Sequence, residues 1–149
     1  MKRLVANAAV AGIAGGAAMI PFGLVLRRAF GYSLNVYGEL LVRTILGRVP
    51  PWALAVEHLL VSWGMALPLV ALLAWKRRGS PLLLGPLYGA TLWLVVNSLL
   101  LPVAFGRPTP WRLGGSSIWP SLTVHVVYGA IAAVVARRIG RSGEPAPGS

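Results

Sequence analysis

Four apolar runs, each close to the roughly 20 residues that an α-helix needs to cross a bilayer, leave this chain few folds to adopt. They lie at about residues 4–26, 52–75, 81–102 and 117–136. In hydrocarbon a backbone N–H or C=O must find its partner within its own segment, so single runs of this kind are helices. The punctuation between them agrees. Pro50-Pro51-Trp52 opens the second run and Trp75-Lys76-Arg77-Arg78 closes it, while Arg137-Arg138 closes the fourth. Ser80-Pro81 supplies an N-cap residue and a proline at the first helical position of the third. With 56% hydrophobic and 11% charged residues among 149, an ordinary soluble domain is excluded. The expectation is an all-α polytopic membrane protein: a single four-helix domain over residues 1–141, then a disordered tail at 142–149.

Met1-Lys2-Arg3 followed by Ala and Gly resembles a signal peptide, but the apolar run continues to Leu26, so an uncleaved first span is expected. Pro21 should kink or loosen its last third. Between the first two spans, Leu34, Tyr37, Leu41 and Ile45 recur at helical spacing with Glu39, Arg43 and Arg48 off that face. An interfacial amphipathic helix over about 34–48 fits this pattern, and so does an ordered loop on the rim. The connector from Phe105 to Trp111 is rich in turn residues and should be ordered without being helical.

The net charge of +11 comes from short clusters at the ends of the spans rather than from one basic face. Nucleic-acid binding is therefore disfavoured, and contact with anionic lipid headgroups explains the same residues. With both termini cytoplasmic, that side carries eight of the 14 Lys and Arg residues, crowded into short segments beside the span ends. This bias orients the chain with N-terminus and C-terminus on the cytoplasmic side.

Polar side chains within the spans fall in one layer. His58 and His125, the two histidines of the chain, each lie six residues after a tryptophan, Trp52 and Trp119. The second and fourth spans run the same way, so both rings sit about 9 Å beyond their tryptophans at ~1.5 Å per residue. Asn97 reaches the same depth from the opposite direction, five residues before Pro102. Ser62 shares the face of His58, and Ser121 and Tyr128 share that of His125. Glu57 is next to His58 but points about 100° away, toward a neighbouring helix or the headgroups. Ionisable groups in a membrane are costly, which makes this layer the candidate site for a ligand or a proton. Gly12 with Gly16, and Gly85 with Gly89, are GxxxG pairs suited to close helix packing. Each half of the chain then reads as a glycine-rich helix followed by a Trp-x5-His helix, the pattern of a parallel repeat.

The second to fourth spans also resemble a known family. His58 with Ser62 four residues on, the small-residue third span ending in Asn97 and Pro102, the proline loop from Gly106 to Trp111, and His125 in the last span are similar to the YagU family of bacterial inner-membrane proteins and to related short four-span proteins of unknown function. The resemblance implies a link to acid resistance. The family pattern has a histidine where this chain has Asn97 and an acidic residue where it has Ser121, and both differences remove titratable groups.

Several function classes remain open at this point. The histidines either hold neighbouring helices together by hydrogen bonds or form a pH-responsive site for an ion or small molecule, since imidazole titrates near pH ~6.5. A non-catalytic subunit of a larger membrane complex, or a homo-oligomer joined through the GxxxG faces, is the alternative. Two histidines in a helix bundle also permit bis-His haem ligation, which no further motif supports. With no cysteine and no aspartate, cysteine-based metal sites and paired carboxylates are excluded, and nothing marks the chain as an enzyme.

Overall fold

Helix accounts for every regular element among the described residues of the computed structural model, which are 2–31, 36–76 and 78–142. In chain order these are α1 (Lys2–Phe30), α2 (Val36–Leu46), α3 (Pro51–Trp75), α4 (Pro81–Ala104), α5 (Pro110–Leu113) and α6 (Gly115–Ser142). The long helices α1, α3, α4 and α6 are each long and apolar enough to cross a membrane, so the chain has an all-α polytopic fold. Leu34, Arg77 and the tail beyond Ser142 lie outside the described residues.

The helices outrun the apolar runs for physical reasons. α1 continues past Leu26 and straight through Pro21 to Phe30, with Arg27 and Arg28 in its last turn, where cations complement the helix dipole. It stops where Gly31 takes a φ of 65° and its N–H donates to the Arg27 carbonyl at 2.9 Å. The same device ends α2 at Gly47, with φ 68° and an N–H···O bond of 2.9 Å to Arg43. Such left-handed stops favour glycine, which has no Cβ to clash.

The connector after α4 departs from expectation. Thr109 is extended, with φ −67° and ψ 156°, and Pro110 takes the first helical position, so a short α5 forms where a non-helical loop was expected. α6 runs on to Ser142, one residue into the segment expected to be disordered.

Within α4, Trp93–Leu100 widens into a π-helix. The Leu101 N–H reaches back five residues to the Val96 carbonyl. Pro102 follows directly, and a proline interrupts the α ladder there in any case because it has no N–H to donate.

α6 packs along both α1 and α4, and α1 also packs along α3, while α3 and α4 touch little. Half of the bundle, nearer the chain termini, is dry and filled by small and branched side chains: Ala8, Ala11, Ala66, Leu69, Ala132 and Ala133. Arg137 locks that end by donating to three carbonyls of α3 and the turn after it, Leu73 at 3.2 Å, Lys76 at 2.9 Å and Gly79 at 2.7 Å.

Both GxxxG pairs lie at helix crossings, in matching register. Gly16 abuts His58 and Ser62, and a Cβ on Gly12 would come within 2.8 Å of the Trp63 Cα. Gly89 abuts the His125 backbone, and a Cβ on Gly85 would come within 2.9 Å of the Gly129 carbonyl carbon. In each half the outer glycine meets the histidine, and the inner one meets the stretch four to five residues on. This is the crossing geometry that a repeated hairpin produces. The halves are not docked symmetrically, because α1 packs on α6 whereas α4 barely meets α3.

Gly89→Ala should separate α4 from α6 and lower stability by about 1–3 kcal/mol, the usual range for overpacking. Gly64→Ala, whose Cβ would meet nothing within 4 Å, should leave stability unchanged or slightly raised. Thermal unfolding of both variants in detergent checks the contrast.

Candidate functional site

The half of the bundle nearer α2 is hollow. A cavity of about 950 Å³ lies between α1, α3, α4 and α6, and α2 with the segment around Phe105–Leu113 covers its end. His58, Asn97 and His125 all line it, together with Ser62, Ser121, Tyr128 and Glu57. The polar layer expected from three separate spans is thus one lining. Glu57 lines the same wall beside His58.

Backbone carbonyls fix both rings. His58 Nε2 lies 3.0 Å from the Gly16 carbonyl of α1, and His125 Nδ1 lies 2.7 Å from the Ser121 carbonyl one turn earlier in α6. A carbonyl oxygen only accepts, so these two nitrogens carry the protons. The nitrogen left over on each neutral ring, Nδ1 of His58 and Nε2 of His125, is an acceptor. Glycine at position 16 makes the first bond possible, because a Cβ there would press on Ser62 and His58.

The remaining hydrogen bonds tie α3, α4 and α6 around the same space. Asn97 Nδ2 donates to Ser121 Oγ at 3.1 Å, joining the π-helical part of α4 to α6. The Tyr128 hydroxyl donates to the Ser62 carbonyl at 2.6 Å, joining α6 to α3 at the cavity floor. Its ring is buried, and Gly15 packs directly against it. The Tyr88 hydroxyl donates to the Met65 carbonyl, which links α4 to α3. Together these bonds satisfy polar groups that would otherwise be stranded in an apolar interior.

Sequence reasoning missed the roof. Tyr37 and Leu41 of α2 line the cavity, and Tyr37 meets Phe105 with ring centroids 6.0 Å apart. Arg107, Ser116 and Ser117 line it too. The amphipathic spacing marks Tyr37 and Leu41 without bringing them to the cavity, and no local pattern marks Arg107, Ser116 or Ser117. Gly15 and Gly129 were also missed as packing positions. Gly129 carried a signal, since it stands four residues after His125 as Ser62 stands after His58.

Among the described residues no three His, Cys, Asp or Glu side chains come together as a metal cage requires. Trp52, Trp75, Trp111 and Trp119, near the ends of the apolar runs, are exposed. Trp93 instead is buried edge-on against Trp111, centroids 5.4 Å apart. Its Nε1 and the hydroxyl of Ser98, five residues on, are buried without a hydrogen-bond partner. No family model matches this chain, and neither a curated protein nor a solved structure matches it.

A double-mutant cycle on Asn97→Ala and Ser121→Ala should give a coupling of about 0.6–2 kcal/mol, the range for hydrogen bonds between helices in a bilayer. Ser98→Ala should be neutral or stabilising by up to about 1 kcal/mol, because it removes a buried hydroxyl that gains no bond by being there. Chemical unfolding of the four variants reads both.

Proposed function

We propose that this chain is a membrane-embedded binding protein whose cavity is a pH-responsive site for a small molecule or ion, with His58 and His125 in its wall. One observation carries the reading: nine polar side chains from three helices line a single space of about 950 Å³. Ligand pockets span roughly 300–1,000 Å³, and this one is at the upper end. Helices held together by hydrogen bonds alone would close over such groups.

The chemistry follows from the ring assignments. At neutral pH each imidazole keeps one bond to a carbonyl and offers one acceptor. In acid the second nitrogen gains a proton, so acceptor becomes donor and two positive charges share one cavity. Their repulsion loosens the bundle around it, which is how a histidine pair acts as a switch. The crowding of basic residues beside the span ends nearest the termini supports an orientation with both termini in the cytoplasm and the cavity in the outer leaflet of the inner membrane. An acid-facing site of this kind is consistent with kinship to the YagU family, which rests on the residue pattern of the second to fourth spans.

Stability should therefore fall as the pH is lowered toward about 5. A fall of ~1 kcal/mol would lower the thermal midpoint by about 2–4 °C in a chain of this size. In His58→Ala and His125→Ala the change should shrink or vanish. Equal pH dependence in wild type and both variants, measured by thermal unfolding in lipid or detergent, overturns the proposal.

A further inference from the structure

Resting on that reading of the cavity, we propose that its occupant is a neutral amphiphile with a hydroxyl head and one apolar chain, the head donating its one hydrogen to His58 or His125 and the chain lying between α3 and α4. The first argument is size. A water molecule takes up about 30 Å³ of liquid, so about 950 Å³ far exceeds what a proton or a lone ion needs. The second is the wall. Leu54, Val61 and Met65 of α3 face Leu92, Val96 and Leu101 of α4 across the space. These lining residues extend along α3 for roughly 16 Å at ~1.5 Å per residue, with the polar side chains of Glu57, His58 and Ser62 among them, room for a head and a chain along one wall. The two helices barely touch, which leaves the side of the bundle between them as the route to the lipid.

Head chemistry follows from the hydrogen-bond accounting. The N–H of each neutral imidazole is already committed to a backbone carbonyl, of Gly16 or of Ser121, so both rings accept and neither donates. Asn97 spends one amide hydrogen on Ser121 Oγ. A hydroxyl complements such acceptors. The charged and titratable groups facing the histidines from the surrounding elements are Glu57 of α3, Tyr37 of α2, Arg107 of the connector and Tyr128 of α6; α1 and α4 contribute none to the lining. Glu57 has an interaction partner of its own, and the Tyr128 hydroxyl is bonded to Ser62. One carboxylate and one guanidinium give the cavity no net sign, which favours a neutral head over a carboxylate or an ammonium. Protonation of the rings replaces acceptors by donors, so the hydroxyl head is released in acid.

Photoactivatable probes of equal chain length, bearing a hydroxyl, a carboxylate or a quaternary ammonium head, test this on the full chain in lipid vesicles. The alcohol should label α3 and α4 around Val61, Met65 and Val96 at about pH 8 and lose about tenfold at about pH 5, the equivalent of one hydrogen bond. His58→Ala and His125→Ala should show a similar loss at the higher pH. Should the alanine variants fail to fold, His58→Gln and His125→Gln retain an acceptor that does not titrate, and they should label with a weaker pH dependence. Equal labelling by all three heads, stronger labelling by the carboxylate in acid, or alcohol labelling indifferent to pH overturns the proposal. A stability response to pH without alcohol labelling defeats the amphiphile and leaves the switch standing, whereas loss of both defeats the underlying reading as well.

Discussion

Contact between backbones at glycine is the constraint on which this bundle depends. In lipid no hydrophobic force drives one apolar helix onto another, so association rests on van der Waals packing and on hydrogen bonds between helices. Gly12 and Gly16 bring α1 onto the backbone of α3, and Gly85 and Gly89 bring α4 onto that of α6. At this separation the Gly16 carbonyl is within reach of His58, and the bond that orients the ring is a by-product of the packing. The cavity is the other side of the same choice. α1, α3 and α6 close tightly around the alanine-rich half, and the weak contact between α3 and α4 leaves space in the other half.

The polar layer holds together because each group has a defined partner on another helix or on the turn before it. Ser121 is the junction, with its carbonyl accepting from His125 and its hydroxyl accepting from Asn97. Asn97 reaches it from a π-helical stretch, whose extra residue per turn changes the direction in which side chains leave the helix. Trp93 and Ser98 lie on that same stretch with buried, unpartnered polar atoms. The distortion of α4 thus serves Asn97 while leaving those two groups unsatisfied.

Much of this was legible in the sequence because the bilayer imposes length and polarity so strictly. The number and order of the membrane helices, and the gathering of His58, Asn97 and His125 at one level, follow from run lengths and from counting residues in from Trp52, Trp119 and Pro102. What could not be read is set by contacts between distant segments. Leu41 and Tyr37 read as an amphipathic face, and the pattern does not say that the face would roof a cavity. Pro110 read as a turn residue because turn chemistry and the first turn of a helix use the same amino acid.

The guanidinium of Arg137 has a mechanical consequence. By holding the last carbonyls of α3 it fixes one end of that helix, while Leu54, near the other end, borders open space. From Leu73 to Leu54 the lever is roughly 28 Å at ~1.5 Å per residue. A rotation of about 5° around such an anchor carries the far end some ~2.5 Å sideways, the hinge-like motion that small changes of packing produce in multi-helix assemblies. The clamp at one surface therefore makes the opposite surface the place where modest forces yield large displacements.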